Sequence, residues 1–331
     1  MMTRTYFKIC RVGTAHHQTV GAAVSVGDAH PTYICRSIFE IGSRLAAAIG
    51  LTVFALTATA AELPQENTVP GGIAIVPLTV DTAPAPVAYF DDQRVMVIRH
   101  AGYWQAIIGL PLTLAPGPHA VVTKETPEKN KDYFFLVRTK EYASQHLTLK
   151  DKRLVEPGEE DLKRIAKEQE IQQRAFTTWT DLELPPLQFK LPGYGRLSSV
   201  FGLKRFFNNE PRQPHSGIDI AAPTGTPVTA PAEGTVVETG EYFFNGKTVF
   251  IDHGQGLISM LNHLSRISVE RGTHVQPGNK IGEIGMSGRA TGPHLHWTVS
   301  LNNTRVDPML LLGQEAAKLQ RTTTASRQAP R

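Results

Sequence analysis

The apolar positions of residues 68–150 fall into short runs that turn residues separate. The runs are rich in Val, Ile, Tyr and Phe, and breaks such as Pro116-Gly117-Pro118 stand between them. Runs of this length and composition are typical of β-strands that pair with antiparallel neighbours. The pattern predicts a small antiparallel β-sandwich or barrel, and nothing in it looks catalytic. Three scattered histidines are interpreted as surface or packing residues: His100, His119 and His146.

A helical period replaces the β-strand pattern after Pro157. Proline and acidic residues open this stretch, and apolar residues then recur at roughly helical spacing. Proline at the first position and acids in the first turn are typical of a helix start. We therefore predict one helix, in residues 157–180, that connects two domains. Its predicted apolar positions are Leu162, Ile165, Ala166, Ala175, Phe176 and Trp179.

Short β-rich runs return in residues 190–313, now with many glycines. Asn245-Gly246 stands between two of these runs, which is a strong hairpin signal. The pattern predicts a second antiparallel β-sheet domain. Residues 314–331 end in a polar stretch without large apolar residues, and we predict a disordered tail. The chain is thus predicted to be mainly β, with one helical connector between its two domains.

The first 61 residues have a different character. Arg44 precedes an apolar stretch of 13 residues, 45–57, and the small residues Ala58-Thr59-Ala60 follow. This is the layout of a secretory signal peptide, here behind an upstream extension. The stretch is short for a bilayer span, so we expect no stable membrane insertion after cleavage. The alternative is an uncleaved signal that anchors the protein to the inner membrane.

Composition places the chain among globular proteins, with 41% hydrophobic and 19% charged residues. The formal net charge is +4, but the first 61 residues hold five basic and two acidic side chains. The remainder is close to neutral, so there is no electrostatic case for a nucleic-acid partner. Both cysteines also lie in the first segment, so we expect the exported chain to be held by its core, with or without the help of a metal, and not by disulfides.

Histidines concentrate in the last predicted domain, which holds six of the nine that follow residue 61. Alternate residues of a strand share a face, so His294 and His296 would project together while Leu295 and Trp297 face the core. His263 stands in an apolar run, where by itself it would be a core histidine. Two others stand beside glycines in predicted turns and are assigned to the surface: His253 and His274.

A metal site would explain this concentration. His215 and Asp219 are four residues apart, so an extended strand places both on one side. Imidazole and carboxylate are good zinc ligands, and three protein ligands leave the fourth tetrahedral position for water. Each pattern is weak alone. A zinc hydrolase needs three ligands and at least one further acid or base near the bound water, and together these residues supply three ligands and two further histidines.

Four segments carry a family resemblance. They read HSGIDIAAPTGTPVTAPAEGTV, NHLS, VQPGNKIGEIGMSGRATGPHLHW and VDPMLLL, in this order. In residues 197–312 the chain resembles the lysostaphin/LytM-type zinc metalloendopeptidases, which cut peptide bonds in bacterial peptidoglycan. From residue 71 onward it is also similar to the Gram-negative branch of that family, in which a β-rich N-terminal domain precedes the peptidase.

The resemblance implies a role for each of five residues. His215, Asp219 and His296 would bind one zinc ion per chain, while His263 and His294 would lie beside the metal-bound water and the scissile carbonyl. Two further residues match positions close to the groove and are expected to contact substrate: Asn208 and Arg212. Asn262 departs from the small residue of many relatives, and we expect it to alter packing more than chemistry.

These expectations combine into a function. The chain would be a periplasmic zinc endopeptidase that hydrolyses peptide cross-links or stems of peptidoglycan, in a Gram-negative cell at a bond between D-Ala and meso-diaminopimelate. One alternative is a non-catalytic activator that only grips peptidoglycan, although retention of all five residues argues against it. Another is a zinc carboxypeptidase or a protease of other peptides. The N-terminal domain would position the enzyme or regulate it by covering the groove.

Overall fold

The computed structural model describes residues 62–126, 129–148 and 152–319. The predicted upstream extension and signal peptide, residues 1–61, lie outside these ranges. Within them, no helix is both long enough and apolar enough to cross a membrane.

The first part of the described chain is a six-stranded antiparallel sheet in the order β1-β4-β3-β2-β5-β6. The first and last strands of this order lie beside each other, so the sheet is a nearly closed barrel. This confirms the predicted small β-domain. The strands are β1 (Ile73–Val80), β2 (Ala88–Phe90), β3 (Gln93–His100), β4 (Tyr103–Gly109), β5 (Gly117–Thr126) and β6 (Lys129–Val137).

Strand β3 is buried on both faces, because its alternating side chains enter two different cores. Val95 and Val97 pack inside the barrel. Met96 and Ile98 point the other way and join the core that contains Trp297 of the C-terminal sheet. A continuous apolar run is what a strand between two packed layers requires. The barrel therefore packs directly on the second sheet.

A connector leads from the barrel to the C-terminal sheet. It contains strand β7 (Ser144–Leu147), a short 3₁₀ turn (Lys152–Leu154) and helix α1 (Glu159–Phe176). The predicted helix is confirmed, but two of its predicted apolar positions, Leu162 and Ala166, are exposed. Leu162 is 55% exposed, whereas Asp161 is buried and accepts hydrogen bonds from Arg153 at 2.6 and 2.5 Å. The carboxylate of Asp161, which is paired with Arg153, is thus buried on the helix face where the apolar spacing had predicted Leu162.

The C-terminal part is a ten-stranded sheet with a small three-stranded sheet beside it. Its central strands run in the order β13-β14-β15-β18-β11-β8, and neighbours are antiparallel, as predicted. A 3₁₀ turn (Pro308–Leu311) follows the last strand. The strands are β8 (Arg196–Ser199), β9 (Lys204–Phe207), β10 (Glu210–Pro211), β11 (Ile218–Ala221), β12 (Pro227–Thr229), β13 (Gly234–Tyr242), β14 (Gly246–Asp252), β15 (Leu257–Ile267), β16 (His274–Val275), β17 (Lys280–Ile284), β18 (His294–Leu301) and β19 (Thr304–Val306).

The predicted hairpin at Asn245-Gly246 is confirmed and joins β13 to β14. Tyr242 pairs with Gly246, so three residues form the turn. Gly246 has a φ of 63°, and a Cβ there would lie 2.3 Å from Ser287 Oγ. Gly246 is the first residue after the turn, and glycine adopts this left-handed conformation without steric cost.

The structure differs from the predicted tail at its beginning. Leu319 is buried against the main core, which places residues 314–319 on the folded body of the protein. A single leucine within a polar sequence was too weak a signal for this contact. Residues 320–331 lie outside the described ranges.

Candidate metal centre

Two adjacent strands hold Asp219 and His296. Strands β11 and β18 are antiparallel, and their register places these two residues directly opposite each other. Residues opposite each other on one sheet face have neighbouring side chains. The other face of the same strands is apolar and fully buried, as the alternation predicted, through Ile218, Ile220, Leu295 and Trp297.

His215 completes a three-residue cluster from the loop that precedes β11. Its Nε2 lies 2.9 Å from Asp219 Oδ1 and 2.9 Å from His296 Nδ1. His296 Nδ1 lies 2.7 Å from the same carboxylate oxygen. All three side chains are buried, and their ligand atoms lie close enough together to hold one metal ion. The structure thus brings together the three residues that the resemblance implied.

Hydrogen bonds on the outer side of the cluster orient its imidazoles. His215 Nδ1 lies 2.7 Å from the carbonyl of Val200, which can only accept, so Nδ1 carries the proton and Nε2 keeps its lone pair. His296 Nε2 is hydrogen bonded to Thr298 Oγ1 at 2.9 Å, and Arg205 donates to the outer oxygen of Asp219 at 2.8 Å. Metal-binding histidines and carboxylates are typically held by such partners. The donor set therefore fits a metal ion.

The charge states of the cluster also suit a cation. Burial by itself raises the pKa of Asp219, but its close contacts and charge interactions with the side chains of His215 and His296 hold it well below its usual range. Burial lowers the pKa of His296 to about 4. An ionised carboxylate and a neutral imidazole are the forms that bind metals.

His263 and His294 lie next to this cluster as a second pair, with ring centroids 4.7 Å apart. Nδ1 of His263 lies 2.8 Å from the carbonyl of Ser287, and Nδ1 of His294 lies 2.8 Å from that of Gly292. Since a carbonyl only accepts, each Nδ1 is the donor and each Nε2 keeps a lone pair. His294 Nε2 lies 3.9 Å from Asp219 Oδ1, so it faces the cluster. The strand period had predicted this shared side for His294 and His296.

His263 owes its position to an irregularity in β15. The register between β14 and β15 shifts at this point, and His263 has a φ of 62°. A left-handed conformation is rare for a residue other than glycine, and such residues cluster at functional sites. Burial, followed by the neighbouring His294 and His296, lowers the pKa of His263 to about 3. The neutral imidazole is therefore stable at this position.

A groove opens over the metal cluster and His263. Its lining contains Arg205, Phe207, Gln213, Pro214, His215, Ser216, Phe244, Asn245, Asn262, His263, Arg289 and His296. Asn262 is buried, and its Oδ1 has no hydrogen-bond partner in the described residues. Sequence reasoning gave no role to Arg205 or Arg289. Their only sequence signal is their place in segments that flank the histidine motifs.

Two predicted substrate residues lie near this groove but do not line it. Asn208 is exposed in the turn between β9 and β10, with a φ of 51°. Arg212 is partly buried, and its Nη2 donates to the carbonyl of Val155 at 3.1 Å. The connector thus supports this side of the site. Strand β7 pairs in parallel with β9, which carries Arg205 and Phe207.

The assignment of His253 to the surface was wrong. The side chain is buried, its Nδ1 donates to the carbonyl of Glu233 at 2.6 Å, and its Nε2 lies 2.9 Å from Ser259 Oγ. Phe189 packs on the ring at 4.8 Å. Both nitrogens have partners, which offsets the cost of burial, and turn-forming neighbours cannot reveal this. His274 is exposed, as predicted.

The fold and the site define a β-sheet protein with a histidine-rich metal centre at the base of a groove. Comparisons with known proteins agree. Residues 213–308 match the model of peptidase family M23, and residues 66–140 match that of the M23 N-terminal domain. The crystal structure of a Pseudomonas aeruginosa protein described as a peptidase M23 is 43% identical, with a TM-score of 0.63, and the match covers 75% of this chain and 96% of that one. The chain belongs to peptidase family M23.

Two curated relatives match the C-terminal part. The DD-carboxypeptidase/endopeptidase Mpg of Neisseria meningitidis is 40% identical over 116 residues, 35% of this chain. The peptidoglycan DD-endopeptidase ShyA of Vibrio cholerae is 40% identical over 115 residues, 34% of this chain. Each match covers 27% of the relative's own length.

Proposed function

We propose that this protein is a zinc-dependent endopeptidase that hydrolyses peptide cross-links or stems of bacterial peptidoglycan. The observation that carries the proposal is the arrangement of five side chains. The buried donor set of two histidines and one aspartate lies beside His263 and His294, whose Nδ1 atoms are held by backbone carbonyls. Membership of a peptidase family and the two curated relatives, both named as peptidases, support it.

His215, Asp219 and His296 are proposed to hold the zinc. Two imidazoles and one carboxylate are a common ligand set for catalytic zinc. When bound, zinc lowers the pKa of its water towards about 7 and polarises the peptide carbonyl. Thr298 and Arg205 would keep the ligands in orientation through their contacts with His296 and Asp219.

His263 and His294 are proposed to move protons. With Nδ1 held by a carbonyl, each ring presents Nε2 as a base that can accept a proton from the attacking water. Once protonated, the same nitrogen can stabilise the developing oxyanion or donate to the leaving amine. Two such imidazoles side by side allow one to accept a proton while the other donates.

The proposed substrate is a peptide of the cell wall. ShyA is named for peptidoglycan and for a DD bond, and we propose a bond between D-Ala and meso-diaminopimelate. Such a substrate places the protein outside the cytoplasm, in the periplasm after export. Asn208 and Arg212 would contact this substrate at the edge of the groove. The N-terminal domain is proposed to position the enzyme, since Met96 and Ile98 of its barrel pack directly in the core of the C-terminal sheet.

Digestion of purified sacculi by the zinc-loaded protein tests this function. We expect cross-linked muropeptide dimers to disappear and monomers to accumulate, measured by chromatography and mass spectrometry. His119→Ala, in the barrel, is the control and should digest like wild type. No release of muropeptides by zinc-loaded wild type would contradict catalysis and favour a binding or activating role.

Carboxypeptidase action is a second candidate, because the name of the Neisseria relative includes DD-carboxypeptidase. The products of the same digestion separate the two activities. A carboxypeptidase shortens stem peptides by their terminal residue and leaves dimers cross-linked, whereas an endopeptidase converts dimers to monomers.

A further inference from the structure

Arg289 is the most unusual basic residue of the groove. It lies in the loop between β17 and β18, and its guanidinium carbon is 4.1 Å from the ring centre of Phe244 and 4.8 Å from that of Phe207. Two aromatic faces therefore hold the planar cation in a defined position, through contacts that stabilise a guanidinium without neutralising it. The side chain lines the same groove as His263 and His296.

Within the described ranges, no acidic side chain forms a salt bridge with Arg289. Its basic neighbours differ in this respect, since Arg205 pairs with Asp219 at 2.8 Å and Arg212 lies 3.9 Å from Glu210. No residue that lines the groove is acidic. Burial, followed by the charges of Arg205 and Arg212, lowers the pKa of Arg289 to about 10. The cation is thus partly desolvated and has like charges beside it, and a bound anion would relieve both costs.

The position of Arg289 is tied to that of His263, one of the two histidines proposed to transfer protons. Its backbone N–H donates to the carbonyl of Phe244 at 2.8 Å, and the next residue, Asn245, accepts the backbone N–H of His263 at 2.9 Å. Ser287, two residues before Arg289, fixes the ring of His263. The same two loops therefore hold both the guanidinium and the imidazole, so a group bound by Arg289 lies beside the peptide that reacts.

We propose that Arg289 binds a carboxylate of the substrate peptide, close to the scissile bond. The inference rests on the proposed function and deepens it by adding a specificity-determining residue. A guanidinium presents two parallel N–H donors that match the two oxygens of a carboxylate. Two aromatic rings contact the guanidinium of Arg289, and the side chain lines the groove in which the peptide would lie. The site would thus select peptides with a free carboxylate at this position over those with an amide.

The test uses muropeptide dimers in which each free carboxylate is converted to the amide, one position per substrate. With the zinc-loaded wild-type protein, we expect one of these amides to lower kcat/KM by about 10- to 100-fold, the effect of losing one charge-assisted contact. Arg289→Gln should lower kcat/KM on the unmodified dimer by a similar factor and should cleave that amide as poorly as wild type does. Arg289→Lys should recover part of the lost kcat/KM, because lysine keeps the positive charge but lacks the two parallel N–H donors.

Arg305→Gln is the matched control. Arg305 also stacks on an aromatic ring, 3.5 Å from the centre of Phe176, and burial also lowers its pKa to about 10, but it lies outside the groove lining. This variant should keep the wild-type dependence on the carboxylate. Thermal unfolding and zinc content of each variant report on its fold.

The outcomes separate the subsite from the function. If wild type cleaves the unmodified dimer and all its amides equally well, or if Arg289→Gln slows every substrate by one common factor, the carboxylate subsite is excluded while the peptidase function stands. If zinc-loaded wild type cleaves no dimer, the proposed function fails and the subsite with it. The amide series on wild type decides the question even if Arg289→Gln does not fold.

Discussion

The N-terminal barrel and the C-terminal sheet are both antiparallel and apolar inside, yet their histidines differ in burial and in hydrogen-bond partners. In the barrel, His119 is partly exposed, and its Nε2 is hydrogen bonded to the nearby carbonyl of Ala115. In the C-terminal sheet, His215, His253, His263 and His296 are all buried. Burial of an imidazole is unfavourable unless its nitrogens are paired. The C-terminal sheet therefore has specific partners for its histidines, and those partners fix which nitrogen faces the groove.

The comparison is tested most strongly at the two histidines of β18. We expect His296→Ala to lose both zinc and peptidase activity, since it removes a ligand. His294→Ala should keep most of its zinc while kcat falls by about 10²- to 10⁴-fold, the range for a lost acid or base. Metal analysis and digestion of sacculi measure both, with His119→Ala as the barrel control. Equal loss of zinc in both β18 variants would contradict the division of roles.

A pH titration examines the buried histidine that has no proposed chemistry. Burial lowers the pKa of His253 to about 4 in the folded protein, whereas an unfolded chain titrates near 6.5. The unfolded state takes up the proton first, so the stability contribution is complete above pH 6.5 and falls by roughly 3 kcal/mol as the pH drops to about 4. Chemical denaturation from pH 4 to 7 should show a shallower pH dependence for His253→Asn than for wild type. His274→Gln, at an exposed histidine, should match wild type, and equal slopes in all three proteins would show that His253 does not contribute.

Thr298 tests whether a hydroxyl that supports a histidine of the C-terminal sheet contributes to zinc affinity. Thr298→Val removes the partner of His296 Nε2 at nearly constant volume. Loss of such an outer contact typically lowers metal affinity by about 10- to 100-fold. Zinc competition with a chromogenic chelator would measure the change. An unchanged affinity would mean that strand geometry alone orients the ring of His296.

The smallest expected effect concerns the junction of the two regions. Gln255 accepts a hydrogen bond from the backbone N–H of Val97 in the barrel at 2.9 Å and donates to the carbonyl of Leu182. Gln255→Ala leaves both backbone groups without this partner, so we expect a loss of about 1–3 kcal/mol of folding free energy. Denaturant unfolding measures it. If Gln255→Ala unfolds in two separate transitions, one for the barrel and one for the C-terminal sheet, then this contact couples the unfolding of the two regions in the wild-type protein.

Much of the architecture could be predicted because it depends on local periodicity. Alternating apolar positions identified the strands and correctly placed Leu295 and Trp297 in the core. Proline and acids located the helix, although the helix face was wrong at Asp161 because its partner Arg153 precedes the helix. The aromatic partners of Arg289, and Glu233 and Phe189 beside His253, come from other segments of the chain, so no local pattern could identify these environments.

The sequence by itself determined the mainly β-structure, the helix and the motifs that carry the chemistry, because these depend on residue type and short spacing. Only the tertiary structure decided which groups meet. The register of β11 on β18 brings Asp219 opposite His296, and the register shift in β15 turns His263 towards the groove. The barrel shares a core with the C-terminal sheet, and Arg289 contacts two aromatic rings without an acidic partner among the described residues. Pairings between segments far apart in the chain depend on the whole packed fold, and no single segment specifies them.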